Sequence, residues 1–210
     1  MSFLKNLILN GKIPYFRIIR RIVLFLWVLP VLSYIFLDIG FLKYGELGWK
    51  LLITVMLIRP LSDVIPDIKI FKALVPLRKE VGILSGVLIA IHSYGYFAIK
   101  NKNIFIEIFN SQYWNFNGIF SWGIIGFIAV IILLITSNNL SIHLLKNSWK
   151  KIQQLAYVLF FASAIHITLV NKNEMIKVII PVSIVMILWI MAKFRITIPK
   201  RKPENAEKTE

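Results

Sequence analysis

The sequence predicts an all-α integral membrane protein, a bundle of six transmembrane helices with both termini in the cytoplasm. Apolar residues make up 58% of its 210 residues, whereas soluble domains contain about 45–50%. The mean hydropathy of +0.73 agrees with that excess. The 25 Lys and Arg residues outnumber the 10 Asp and Glu residues and lie between apolar stretches, as they do in membrane proteins. A water-soluble globule is excluded, no nucleic-acid partner is expected, and the lack of cysteine excludes disulfides and iron–sulfur clusters.

Six apolar stretches can each cross a hydrocarbon core of about 30 Å, alone or with flanking residues. They comprise residues 22–37, 47–58, 82–99, 116–137, 152–170 and 178–191. The first stretch resembles a signal peptide but lacks a cleavage site of small residues, so it is expected to remain as a helix. No internal repeat or long linker is visible. One domain of residues 1–195 is therefore expected, followed by a flexible polar tail of residues 196–210.

The distribution of Lys and Arg orients the six helices. Nineteen of these residues lie in the N-terminal segment up to 21, the connections 59–79 and 138–151, and the C-terminal segment from 193. The other six lie in the remaining connections, so the first set is expected on the cytoplasmic side. Trp49, Trp114, Trp149 and Trp189 lie near predicted helix ends, where an amphipathic indole favours the headgroup region. They are expected to anchor the helices.

Two histidines lie inside predicted spans, where an ionisable side chain marks a functional site by default. His92 lies in the third span and His166 in the fifth, and these two helices run in the same direction. Counted from Val81 and Ile152, they lie 11 and 14 residues along, or about 17 and about 21 Å. Two histidines at matched depth on parallel helices can bind a heme between them as axial ligands. The alternative is a pair of hydrogen-bonded core histidines.

Small residues precede both histidines on their helices and favour a heme, because they leave room for a large flat ring and let helices approach closely. They are Gly82, Ser85, Gly86, Ala162 and Ser163. The third histidine, His143, lies in a polar connection at the cytoplasmic end of the fourth span. It is expected to be solvated or interfacial rather than a ligand.

A series of short motifs follows the predicted helix ends. It comprises Gly48-Trp49, Arg59-Pro60-Leu61, Leu77-Arg78-Lys79 with Gly82, His92 with Tyr96, Thr136-Ser137, Trp149-Lys150-Lys151 with Leu155 and Tyr157, and His166. No single motif is specific, whereas their order, spacing and total length together are. Over residues 44–194 the chain resembles the ferric-reductase-like transmembrane family. It is most similar to the small bacterial branch that supplies the heme-binding membrane subunits of protein-methionine-sulfoxide reductase systems.

The resemblance implies an integral cytochrome that binds b-type heme and passes electrons through the bacterial inner membrane. His92 and His166 would be the axial ligands of one heme. The family's further ligand position falls on Gln153, and because a glutamine amide is a poor axial ligand, this residue argues against a second heme. In that branch the donors are quinones or a cytoplasmic flavin reductase, which makes quinone and FMN the candidate additional cofactors. The acceptor is a periplasmic molybdopterin-type reductase.

Two other functions stay open. A transmembrane ferric or other metal reductase would keep the heme, and an acidic outer face would favour it. The predicted outer loops contain only scattered acidic residues, namely Asp38, Glu46, Glu107 and Glu174. A heme-free assembly factor or small transporter would show no visible spectrum, and a transporter is expected to have broken helices with paired intramembrane charges. The sequence therefore favours an electron-transfer subunit to which no catalytic residue is assigned.

Overall fold

The computed structural model describes residues 13–37 and 39–198, and this part of the chain is helical without a strand. Its α-helices, numbered here in chain order, are α1 Phe16–Phe25, α2 Val28–Phe36, α3 Phe41–Val64, α4 Lys69–Leu74, α5 Arg78–Ile99, α6 Ile104–Glu107, α7 Ile119–Thr136, α8 Asn139–Leu145, α9 Asn147–Gln153, α10 Leu155–Val170 and α11 Met175–Lys193. Short 3₁₀ turns lie at Val75–Leu77, Ser111–Tyr113 and Lys172–Glu174.

Two helical hairpins form the centre of the bundle. Helix α3 packs along α5, and α7 packs along α10, while α5 and α7 join the two hairpins. These four helices contain most of the buried side chains, whereas α1 and α2 bury none and α11 buries only Val178 and Val185. The helices α1, α2 and α11 are therefore peripheral. Their exposed large apolar side chains suit contact with lipid.

Four helical segments of the described chain are long and apolar enough to cross a membrane, namely Phe16–Phe36, Ile119–Thr136, Asn147–Val170 and Met175–Lys193. Helices α3 and α5 are also long, with 24 and 22 residues, or about 36 and about 33 Å at 1.5 Å per residue. Both lie inside the bundle, where they contain polar and small residues that face other helices. The chain is thus a multi-pass membrane protein embedded in a lipid bilayer.

Each of the six predicted apolar stretches is helical, but several boundaries differ. The first helix begins at Phe16 rather than at residue 22, because three arginines fit within an amphipathic first segment. The stretch predicted at 47–58 extends over the whole of α3. Residues 1–12, Asp38 and residues 199–210 lie outside the described residues, and with them most of the predicted tail. At its described end, Ile198 donates its backbone N–H to the carbonyl oxygen of Val64 at 2.8 Å.

Trp49 lies in the core rather than in the headgroup region, so its prediction as an anchor is wrong. Its side chain is 8% exposed, and its ring stacks on Phe160 with centroids 5.2 Å apart. The stack joins α3 of one hairpin to α10 of the other. Position near a predicted helix end was a misleading signal, because α3 begins at Phe41, six residues before the predicted stretch 47–58.

An ion pair with a buried carboxylate connects α1 to α5. Glu80 is 4% exposed, and Arg20 donates from Nε and Nη2 to its Oε1 atom at 2.9 and 2.5 Å. The other carboxylate oxygen, Oε2, is buried without a hydrogen-bond partner. Because an unpaired buried carboxylate is costly, this contact fixes α1 against the central hairpins.

The Arg20→Ala variant is expected to destabilise the protein in detergent by about 1–3 kcal/mol, because the Glu80 carboxylate would stay buried without its cation. The loss lies below that of a fully buried pair, since the Arg20 side chain is 41% exposed. Thermal unfolding measures it. The matched control is Lys50→Ala, which removes an ion pair to Glu46 that is exposed on both sides and should leave the Tm unchanged. Equal losses in the two variants would contradict this account.

Candidate functional site

The His92 imidazole, on α5, is held by the first turn of α3. Its Nδ1 atom is 3.1 Å from the carbonyl oxygen of Phe41, the first residue of α3. Gly45 lies one turn further along, and a Cβ atom at this glycine would be only 2.6 Å from Nδ1. Because a carbonyl oxygen can only accept, Nδ1 donates and the ring keeps a free lone pair on Nε2.

The His166 imidazole, on α10, has the same kind of surroundings in the first turn of α7. Its Nδ1 atom donates to the carbonyl oxygen of Ile119, the first residue of α7, at 2.9 Å. A Cβ atom at Gly123 would be 3.2 Å from both Nδ1 and Cε1 of the ring. The backbone therefore sets the tautomer of both histidines and leaves Nε2 as the available ligand atom.

The two imidazoles face each other between the hairpins. Their ring centroids are 6.3 Å apart and their planes are inclined at 74°. Helices α5 and α10 themselves share almost no backbone contact, so the two side chains bridge a gap between them. The structure thus brings His92 and His166 together at one level, as their matched depth in the sequence predicts.

The donor set and its spacing fit an iron porphyrin. An imidazole nitrogen binds a metal ion at about 2.0 Å, which places two ring centroids about 6 Å apart when the metal lies between the Nε2 atoms. A porphyrin supplies four nitrogen ligands, so two axial side chains complete the coordination. A bare ion would need further protein ligands, and the described residues contain no group of three His, Cys, Asp or Glu side chains that could hold one.

Aromatic side chains cover the end of the bundle nearest the histidines. Phe41, Tyr96, Phe120 and Tyr113 form a continuous group in which successive ring centroids are 5.3–6.0 Å apart. Two lysines contact its outer members, since Lys100 donates to the Tyr96 hydroxyl at 2.6 Å and Lys102 to the Tyr113 hydroxyl at 3.0 Å. The bond to Tyr113, together with the charge of Glu107, raises the pKa of Lys102. The group therefore separates the imidazoles from a positively charged rim.

Gln153 and His143 lie away from the histidine pair. The amide nitrogen of Gln153, at the end of α9, donates to the Thr136 hydroxyl at 3.1 Å. The residue precedes His166 by 13 positions, about 20 Å along a helix. His143 is exposed on α8, in agreement with the expected solvated or interfacial position. The structure brings neither residue to the pair.

Among the small residues on α5, Gly86 confirms the expected close approach of helices, whereas a Cβ at Gly82 would meet no atom within 4 Å. Gly86 faces α7, and the Ser85 hydroxyl donates to the backbone of α3 at 2.8 Å. The glycines that contact the imidazoles are Gly45 and Gly123, on the neighbouring helices. Residue spacing along α5 and α10 contains no signal for them, because the contacts form between helices.

Residues 39–164 match the family described as ferric reductase like transmembrane component. Because the match covers more than half of the sequence, the chain belongs to the ferric-reductase-like transmembrane family. This membership indicates a role in electron transfer or reduction at a membrane, and bound heme is compatible with it. The match includes His92, Phe41 and Ile119, and it ends two residues before His166. Comparisons with curated proteins and with solved structures found no match.

Both partly buried histidines, His92 and His166, are expected to carry their proton on Nδ1, because each Nδ1 atom faces a carbonyl oxygen. ¹⁵N NMR of histidine-labelled full-length protein under reducing conditions measures the tautomer. The His92→Ala and His166→Ala variants assign the two resonances, and the exposed His143 is the internal reference. A proton on Nε2 of either His92 or His166 would contradict the geometry.

Proposed function

We propose that the chain is an integral membrane b-type cytochrome of the MsrQ (YedZ) kind, in which His92 and His166 are the axial ligands of one heme b. The observation that supports it most strongly is the facing pair of imidazoles, 6.3 Å apart, each with Nδ1 bound to a backbone carbonyl. When bound, the heme supplies a carrier for one electron at a time.

The surrounding residues suit electron transfer better than oxygen chemistry. Two imidazoles would complete the coordination of a heme iron held by His92 and His166, so no position would stay open for oxygen. The carbonyl oxygens of Phe41 and Ile119 accept from the two Nδ1 atoms, which orients the rings and makes them more basic ligands. Phe41, whose ring centroid lies 5.5 Å from that of His92, adds apolar surface beside the imidazole, and apolar surroundings help to set the potential of a bound metal centre.

The position of the pair supports transfer towards an outer acceptor. His92 is seven residues from the end of α5 and His166 is four from the end of α10, or about 10 and about 6 Å. In the proposed topology of six spans, α3 and α5 also cross the membrane and both termini are cytoplasmic. Those helix ends then face the periplasm of a bacterial inner membrane. The proposed acceptor is a periplasmic molybdopterin-type methionine sulfoxide reductase.

The proposed donor is a membrane quinol, or a flavin such as FMN bound near the inner face. Gln153 supplies no imidazole at the cytoplasmic end of α9, and its amide nitrogen is engaged by Thr136. A cytoplasmic flavin reductase would then face a gap of about 20 Å to the histidine pair along the helix. A donor that enters the membrane shortens this distance.

The purified full-length protein is expected to show a reduced-minus-oxidised spectrum of b-type with about one heme per chain, because two axial imidazoles form one site. His92→Ala and His166→Ala should each abolish most of that spectrum. Pyridine hemochrome analysis of detergent-purified protein measures the heme content, and size-exclusion chromatography checks that each variant is folded.

Controls for this experiment are His143→Ala and Gln153→Ala, which remove residues far from the pair and should keep the full spectrum. A full heme complement in His92→Ala protein would overturn the ligand assignment. A wild-type protein without a visible spectrum would favour the heme-free alternative, an assembly factor or transporter. Reduction of a ferric chelate by the wild-type protein, without transfer to a periplasmic reductase, would favour the metal reductase.

Reporter fusions test the six-span topology. Alkaline phosphatase fused after Lys102 is expected to be active, because the connection after α5 should be periplasmic. Green fluorescent protein fused after Glu210 is expected to fluoresce, because the positively charged C-terminal segment should stay in the cytoplasm. The opposite pattern would overturn the proposed orientation.

A further inference from the structure

The two central hairpins contain matching sequence and structural features, although no internal repeat was expected from the sequence. Residues 40–45 read GFLKYG and residues 118–123 read GIFSWG, and both histidines follow Ala-Ile, at 90–92 and 164–166. In each hairpin the first residue of one helix accepts the Nδ1 hydrogen bond, and the glycine four residues later contacts the ring. We call the segments 40–45 and 118–123 the imidazole-contact turns.

The spacing within each imidazole-contact turn has a simple physical reason. Residues four apart on a helix lie on the same face, so the carbonyl of Phe41 and the Cα of Gly45 border the same ring. The same holds for Ile119 and Gly123. The carbonyl fixes Nδ1 at one side, while the bare glycine lets the ring lie against the helix backbone. A Cβ at Gly45 would overlap the His92 imidazole, and one at Gly123 would press closely against the His166 imidazole.

We infer that Gly45 and Gly123 are positioning residues that set the orientation of the His92 and His166 imidazole planes, one in each hairpin. The inference rests on the proposed function where it concerns a bound heme. The two turns hold the planes at 74° to each other. An alanine Cβ at Gly45 would be 2.6 Å from His92 Nδ1, closer than the 3.2 Å that the same change gives at Gly123. The two sites therefore tolerate a methyl group to different degrees.

Other glycines of the same helices provide matched controls one turn away. A Cβ at Gly48 on α3 would be 2.8 Å from Cγ1 of Ile89, so Gly48→Ala causes similar crowding without contact to a histidine. A Cβ at Gly126 on α7 would make only ordinary contacts, the nearest at 3.7 Å to Leu159. The pair Gly45→Ala and Gly48→Ala, and the pair Gly123→Ala and Gly126→Ala, separate imidazole positioning from general packing.

The first test uses ¹⁵N NMR of histidine-labelled full-length protein under reducing conditions, and it works with or without heme. Gly45→Ala is expected to shift the His92 Nδ1 resonance and leave that of His166 in place. Gly123→Ala is expected to do the reverse, with a smaller shift. Gly48→Ala and Gly126→Ala should move neither resonance. Unchanged His92 and His166 resonances in both site variants would overturn the inference.

The second test is electron paramagnetic resonance of the ferric protein, which reports the angle between axial imidazole planes. Crossed planes give a strongly anisotropic low-spin signal, and planes nearer to parallel give a rhombic one. Wild-type protein, Gly48→Ala and Gly126→Ala should share the anisotropic signal. Gly123→Ala should shift it, and Gly45→Ala should shift it further or lose low-spin heme. Identical signals in wild-type protein and Gly123→Ala would contradict the inference.

The two tests distinguish failure of this inference from failure of the proposed function. If wild-type protein holds no heme, the proposed function fails, and the NMR shifts still decide whether the glycines position the rings. Size-exclusion chromatography and circular dichroism show whether Gly45→Ala folds. If it does not, the spectra of Gly123→Ala decide whether the glycines position the rings. The alanine Cβ in Gly123→Ala requires the His166 ring to move by only a few tenths of an ångström.

Discussion

Two hydrogen bonds, from Nδ1 of His92 to Phe41 and from Nδ1 of His166 to Ile119, determine how the centre of this protein is arranged. Without them each imidazole could rotate, and its ligand nitrogen would have no fixed direction. With them, Nδ1 of each ring is engaged by the backbone, and Nε2 is the nitrogen left for a ligand. The acceptors are carbonyls at the first residues of α3 and α7, so the position of each ring depends on where those helices begin.

The distribution of polar and apolar residues follows from that requirement. The histidines need hydrogen-bond acceptors and space, so the inner helices α3 and α5 contain glycines and polar side chains and pack tightly on each other. The outer helices α1, α2 and α11 present apolar surface and bury little. In a membrane, where solvent cannot satisfy buried polar groups, this arrangement confines them to the interior. The Trp49–Phe160 stack joins α3 of one hairpin to α10 of the other.

The sequence predicted the helical class and the six apolar stretches, because hydropathy depends on local composition. It also predicted the proximity of His92 and His166, because the constant rise of a helix lets residue counts give the depth of each histidine. It did not predict the burial of Trp49 or the break between α9 and α10 at Gln154, because these depend on which helices pack together. The contacts of Gly45 and Gly123 were missed for the same reason. Ser85 on α5 had suggested room beside the rings, whereas its hydroxyl donates to the backbone of α3.

We propose that a heme bound by this chain would have His92 and His166 as its two protein ligands. Near-infrared magnetic circular dichroism of the purified ferric protein tests it most directly, because its charge-transfer band identifies the axial ligand pair. We expect a single low-spin species with two imidazole ligands. A high-spin band, or the band of any other ligand pair, would contradict the account.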